Sequence, residues 1–131
     1  MISCEVLELL PYHRSRSAVL WPDCDLRTWL NDCFLHAAFT PQEQSLLLTT
    51  ELTGRPNPMF RTRDGSTSQD RIFLLQPEEL SPFPSDMPLW SRMPGLNTQQ
   101  AVTVLPSGKV DYQGKYVNEP AGVRAAMRIR V

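Results

Sequence analysis

The sequence predicts an α+β fold: two N-terminal helices packed on a small, mostly antiparallel, twisted sheet with long loops. Three observations predict it. Leu26, Trp29, Leu30, Cys33, Phe34 and Ala37 recur at the spacing of one helix face. The last ten residues alternate, with Val123, Ala125, Met127, Ile129 and Val131 on one side and Arg124, Ala126, Arg128 and Arg130 on the other. That is the period of a half-buried strand. Between the two lie short β-prone runs divided by many of the chain's 12 prolines.

In chain order, Ile2, Cys4, Val6 and Leu7 predict a short strand that leads to Leu9–Tyr12 and is stopped by Pro11. His13 to Ser17 reads as a solvated loop. Asp23 or Asp25 caps the first helix, with Arg27, Asn31, Asp32 and Leu35 outside its stripe and Trp29 as the anchor on the sheet. Asp32 and His36 make an exposed i,i+4 contact. Thr40-Pro41-Gln42-Glu43 is a helix start with a capping box, and the short helix carries Leu46 and Leu47 inward. Leu48–Leu52 favours a strand. Residues 54–68 form a long loop, and such loops in a compact domain are usually functional or mobile. Arg71–Leu75 is a continuous apolar run and so a central strand. Pro77–Leu80 makes one helical turn with two exposed glutamates, and 81–88 is a spacer. Trp90–Pro94 is extended, with the Trp90 indole beside the Arg92 guanidinium. Ala101–Leu105 and Val110–Tyr112 are strands around a Pro106–Lys109 turn. A second turn at Gln113-Gly114 leads to Lys115–Val117, and the terminal strand follows.

Composition bounds the function. At 131 residues and 41% hydrophobic the chain is one domain, able to bury roughly two thirds of its unfolded surface. A formal net charge of −1 gives no field for nucleic acid. No apolar run approaches the roughly 20 residues of a membrane span, and the N-terminus lacks a signal-peptide layout, so the chain reads as soluble. Cys4, Cys24 and Cys33 have no metal spacing and read as buried thiols, with a Cys24–Cys33 bridge left open. No cofactor and no metal are expected.

Six ordered blocks carry a resemblance: Leu-Arg-x-Trp-Leu-Asn (26–31), Ala-Phe-Thr-x-x-Glu (38–43), Asp-Arg-Ile-Phe-Leu-Leu (70–75), Trp-x-Arg-x-Pro-Gly (90–95), Ala-Val-x-Val with a following glycine (101–108) and Gly-Val-Arg-x-Ala (122–126). This order resembles an uncharacterised bacterial domain-of-unknown-function family, common in surface and secreted proteins of Gram-positive bacteria. Its pattern is similar to the C-type-lectin-like fold shared with formylglycine-generating enzymes. The family carries proline where this chain has Ala125. Its members begin with a further strand or two, which implies a truncated domain here, with an open sheet edge beside the C-terminal strand.

The resemblance implies that Trp90, Arg92 and Arg124 are signature positions. They form either a ligand-contacting cluster or a structural one, in which the arginines pair with carboxylates such as Asp70. Formylglycine-type oxidation is not expected, because all three cysteines precede residue 34. Calcium is not expected either, for the chain lacks the Glu-Pro-Asn and Trp-Asn-Asp runs of calcium-binding lectins. The expected function is a non-catalytic module presenting loops 54–69, 81–88 and 94–100 on one side to a glycan or protein. Arg55, Asn57, Arg61, Arg63 and Asn97 supply its polar contacts. The alternatives are a hydrolytic or oxidative enzyme using Asp70, Glu51 or His36, and a scaffold that forms homo-oligomers through the open edge.

Overall fold

A computed structural model describes residues 9–83 and 85–130; the strand expected over Ile2–Leu7, Cys4 and Val131 lie outside them. Five strands form the main sheet in the order β1 (Leu9–Pro11), β8 (Pro120–Gly122), β5 (Leu89–Pro94), β6 (Gln100–Val104) and β7 (Val110–Tyr116). All neighbours are antiparallel except β5 and β8, so the sheet is mixed. Two small ribbons complete the β structure. β2 (Leu47–Leu48) pairs with β9 (Arg128–Ile129), and β3 (Thr50–Thr53) pairs with β4 (Thr67–Asp70).

The central strand is β5, buried at all six positions, rather than Arg71–Leu75. Ile72, Phe73 and Leu74 are indeed buried, but their backbone is satisfied without a ladder. The Asn31 side chain accepts from the N–H groups of Arg71 and Ile72 and donates to Ile72 O at 2.7 Å. Phe73 bridges Ala126, and Leu74 O accepts from Arg92 Nε at 2.5 Å. A buried segment must place every N–H and C=O, and side chains serve as well as a strand.

One main helix runs over residues 25–38, and its middle turn, Leu30–Phe34, is a π turn. The widened turn takes in an extra residue and shifts the face that follows. Leu26, Leu30 and Leu35 therefore point into the core, while Cys33 and Ala37 are exposed, which corrects the expected stripe. Trp29 is only half-buried, 5.5 Å from Phe34 between ring centres; the buried indoles are Trp21 and Trp90. The cap also differs. Cys24 Sγ accepts from Arg27 N–H, and Asp25 falls inside the first turn. Pro41–Gln44 carries the expected capping box, with Thr40 N–H donating to Glu43 at 2.8 Å. Leu47 is buried after it, but Leu46 is exposed.

The terminal ribbon is a half-buried strand only at its end, where Arg128 and Arg130 are exposed on either side of the half-buried Ile129. Residues 121–127 are buried on both sides, Arg124 included, and only the short β8 and β9 flank them. Period-two alternation here reflects a chain threaded through the core as far as Met127 and a charged outer face only beyond it. β7 is one strand where two were expected. Two extra residues bulge between the Thr103↔Asp111 and Ala101↔Lys115 pairs. Gly114 makes this possible at φ +79°, where a Cβ would collide with Ala101 O. β8 lies between β1 and β5, which leaves β1 and β7 as the outer strands of the main sheet among the described residues.

A candidate ligand groove beside the long loop

Loop 54–66 joins β3 to β4, and a single buried side chain fixes its shape. Asn57 donates through Nδ2 to Pro94 O (3.0 Å) and Tyr112 O (2.7 Å) and accepts at Oδ1 from the N–H groups of Met59 and Phe60. All four hydrogen-bonding positions of the amide are thereby filled. The backbone closes the same turn, with Asn57 N–H donating to Thr62 O and Arg61 N–H to Asn57 O. Thr62 Oγ1 donates to Gly95 O at 2.5 Å, tying this loop to 94–97. The two loops meet on the β7 bulge, where Leu96 N–H reaches Gln113 O. Gly95 is needed there because a side chain would strike that carbonyl.

The clamp leaves Met59 63% and Phe60 39% exposed. These two residues, with Leu105, Lys109, Val110, Asp111, Tyr112 and Gln113, line a groove of about 300 Å³ along the end of β7. Large apolar side chains held out on a pinned loop are a usual mark of a contact surface. Lys109 and Asp111 are the charged residues that line the groove. Asp111 accepts from Gly114 N–H, whereas none of the ion pairs or side-chain hydrogen bonds among the described residues uses the Arg61 or Arg63 guanidinium or the Lys109 ammonium. Arg61 sits at φ +61°, the sole non-glycine residue with positive φ among those described.

The six residues expected to touch ligand are split by the fold. Trp90 is fully buried, its ring 5.4 Å from Tyr12 and its Nε1 donating to Leu10 O, so it does not stack on Arg92. Arg92 is 8% exposed and pins residues 74 and 75; burial pulls its guanidinium below the ordinary value. It faces Asp64 across a crevice also lined by Trp21, Ser66 and Ser68, which has no room for a water molecule. Arg124 is buried, 5.8 Å from the centre of the Phe83 ring. Asn57 is the clamp itself. Arg61 is exposed on the loop next to Phe60, and Asn97 is exposed in the adjoining turn, where its Oδ1 accepts from Gln99 N–H.

Loops 54–69 and 94–100 thus lie together. Loop 81–88 enters β5 at Leu89 and 94–100 leaves it at Pro94, so these two flank opposite ends of a six-residue strand. Sequence reasoning missed Met59 and Phe60; an apolar pair set among prolines, arginines and glycines was the available signal. Asn31 and Cys24 were also missed, because nothing in their local pattern announces a clamp or a thiol cap.

The candidate catalytic groups do not form a centre. Asp70 is buried and fully engaged, holding Trp21 Nε1 (2.8 Å), Arg27 Nε (2.7 Å) and Ser68 Oγ (2.9 Å). His36 is exposed on the main helix with Asp32, and Glu51 is exposed on β3. No group of three or more metal-ligating side chains is gathered among the described residues. None of their helices is long and apolar enough to cross a membrane. Cys24 and Cys33 are free thiols, the first buried and the second exposed, so the bridge left open by the sequence is not formed.

No curated protein and no solved structure matches the chain, so the likeness to C-type lectins gains no confirmation from known folds. A family profile does match, over residues 1–88, taking in three of the six blocks that carried the resemblance and stopping one residue before β5. The chain belongs to the family described as Domain of unknown function (DUF6273).

Proposed function

We propose that the protein is a non-catalytic binding module that holds a protein or carbohydrate ligand in the groove between loop 54–66 and β7. The observation that carries this is the pairing of exposure with rigidity: Met59 and Phe60 stand out from a turn that Asn57 locks from within. Preorganisation lowers the entropy lost when a ligand docks, so an immobile apolar tip is suited to recognition. A C-type-lectin-like architecture is proposed with it, supported by the long pinned loops around a mixed sheet.

A glycan array and a peptide array, each probed with labelled protein, test the binding reading. Graded retention without chemical change of the ligand is expected, with loss in Phe60→Ser and little change in Leu96→Ser on the neighbouring loop. Turnover of a retained ligand, or retention that ignores Phe60, would overturn the reading.

A further inference from the structure

We infer that the groove takes an acidic segment of a partner polypeptide, anchored by one apolar side chain; this rests on the proposed binding role and names the ligand's chemistry. The apolar floor comes from Met59, Phe60 and Tyr112. Methionine adapts to differently shaped side chains, which suits a peptide anchor. Around that floor three exposed cations stand against one acid, Asp111. Lys109 lines the groove, Arg61 and Arg63 follow Phe60 in the chain, and none of the three has an anionic partner among the described residues. The acid at the site, Asp111, accepts from Gly114 N–H and keeps its charge, so the cations outnumber it without removing it.

Cations flanking an apolar anchor complement carboxylates flanking an apolar residue, and such complementarity sets partner choice and association rate. The backbone of Arg61 agrees. A left-handed residue is cheapest as glycine, and an exposed arginine stands there directly after Phe60 at a cost in strain. The peptide is held through side chains and does not extend the sheet. Two carbonyls at this end of β7, Tyr112 O and Gln113 O, already accept from Asn57 and Leu96.

The test uses the full chain, fluorescently labelled, on synthetic peptides with one Leu, Ile, Phe or Trp flanked by acidic, neutral or basic residues. Acid-flanked peptides should retain the protein best, and affinity for them, measured by anisotropy, should fall roughly tenfold on raising salt well above physiological strength. Arg61→Glu and Lys109→Glu should each produce a drop of similar size, and Phe60→Ser should abolish binding. All three positions are on the surface, and near-ultraviolet circular dichroism verifies that each variant is folded. Equal retention of acidic and basic peptides, or no retention of acidic ones, overturns the inference. If a glycan alone binds in a Phe60-dependent way, this inference falls and the binding-module reading stands. If nothing binds through Phe60, both fall.

Discussion

Single side chains carry much of this structure, and three of them give testable consequences. Asp70 is the clearest. Its carboxylate joins β4 to the start of the main helix through Trp21, Arg27 and Ser68. Removing one member of a buried charged pair strands the other, so Asp70→Ala should lower stability by about 3 kcal/mol in urea unfolding. Cys24 gives a pH dependence. Burial pushes its thiol from 9.0 up to about 12, so the folded protein holds a proton that the unfolded chain gives up. The sign follows directly: this stabilisation is whole below pH 9 and is lost as pH rises from there toward 12. A Cys24→Ala variant should show a flatter alkaline limb in its stability–pH profile. Thiol reagents at neutral pH should modify exposed Cys33 and spare Cys24 until unfolding, as peptide mapping after labelling would show. Arg61 should trade stability against binding. Arg61→Gly removes the left-handed strain and should raise the midpoint of thermal unfolding, by up to about 1 kcal/mol in stability, while weakening acidic-peptide binding.

At the scale of elements, the main helix shows how far a sequence pattern reaches. Its existence, length and amphipathic character were legible, and so were the capping box at Thr40 and the turn at Pro77–Leu80. Its inward face beyond Leu30 was not. A π turn has no residue signature of its own; here it accompanies an Asn31 side chain turned to residues 71 and 72. Asn31→Ala would leave Ile72 N–H and O unsatisfied in the core. A loss of about 2 kcal/mol is expected, with faster amide exchange confined first to residues 71–74. The terminal segment failed for a related reason. Alternation identifies an extended chain but cannot say whether its second face meets water or protein, and Arg124 turned out to be buried. Trp90 and Arg92, the signature positions implied by the resemblance, are buried in the interior. Large or charged residues in a turn-rich region look the same in sequence whether they hold a loop or a ligand.

At the scale of the molecule, the main sheet interleaves distant parts of the chain. β1 joins it beside β8, more than a hundred residues away in sequence, and β5 to β7 fill the rest. Among the described residues, the stretch matched by the family profile, 1–88, supplies β1 alone to this sheet. One core cluster draws on both sides of residue 88, from Leu26, Leu30 and Ile72 to Trp90, Val117 and Val123. A fragment ending at residue 88 should therefore fail to fold, with no cooperative thermal transition by circular dichroism. A cooperative transition would mean that the family unit has a core of its own.

The sequence by itself determined the α+β class, the positions of most helical turns and strands, and the long loop 54–68, because these follow from local spacing and turn chemistry. Only the tertiary structure decided which strand is central, which arginines are buried, and that Asn57 stiffens the loop from inside while Met59 and Phe60 face outward. The reason is physical. Burial and hydrogen-bond partnership belong to pairs of groups far apart in the chain, and no local pattern encodes the second member of the pair.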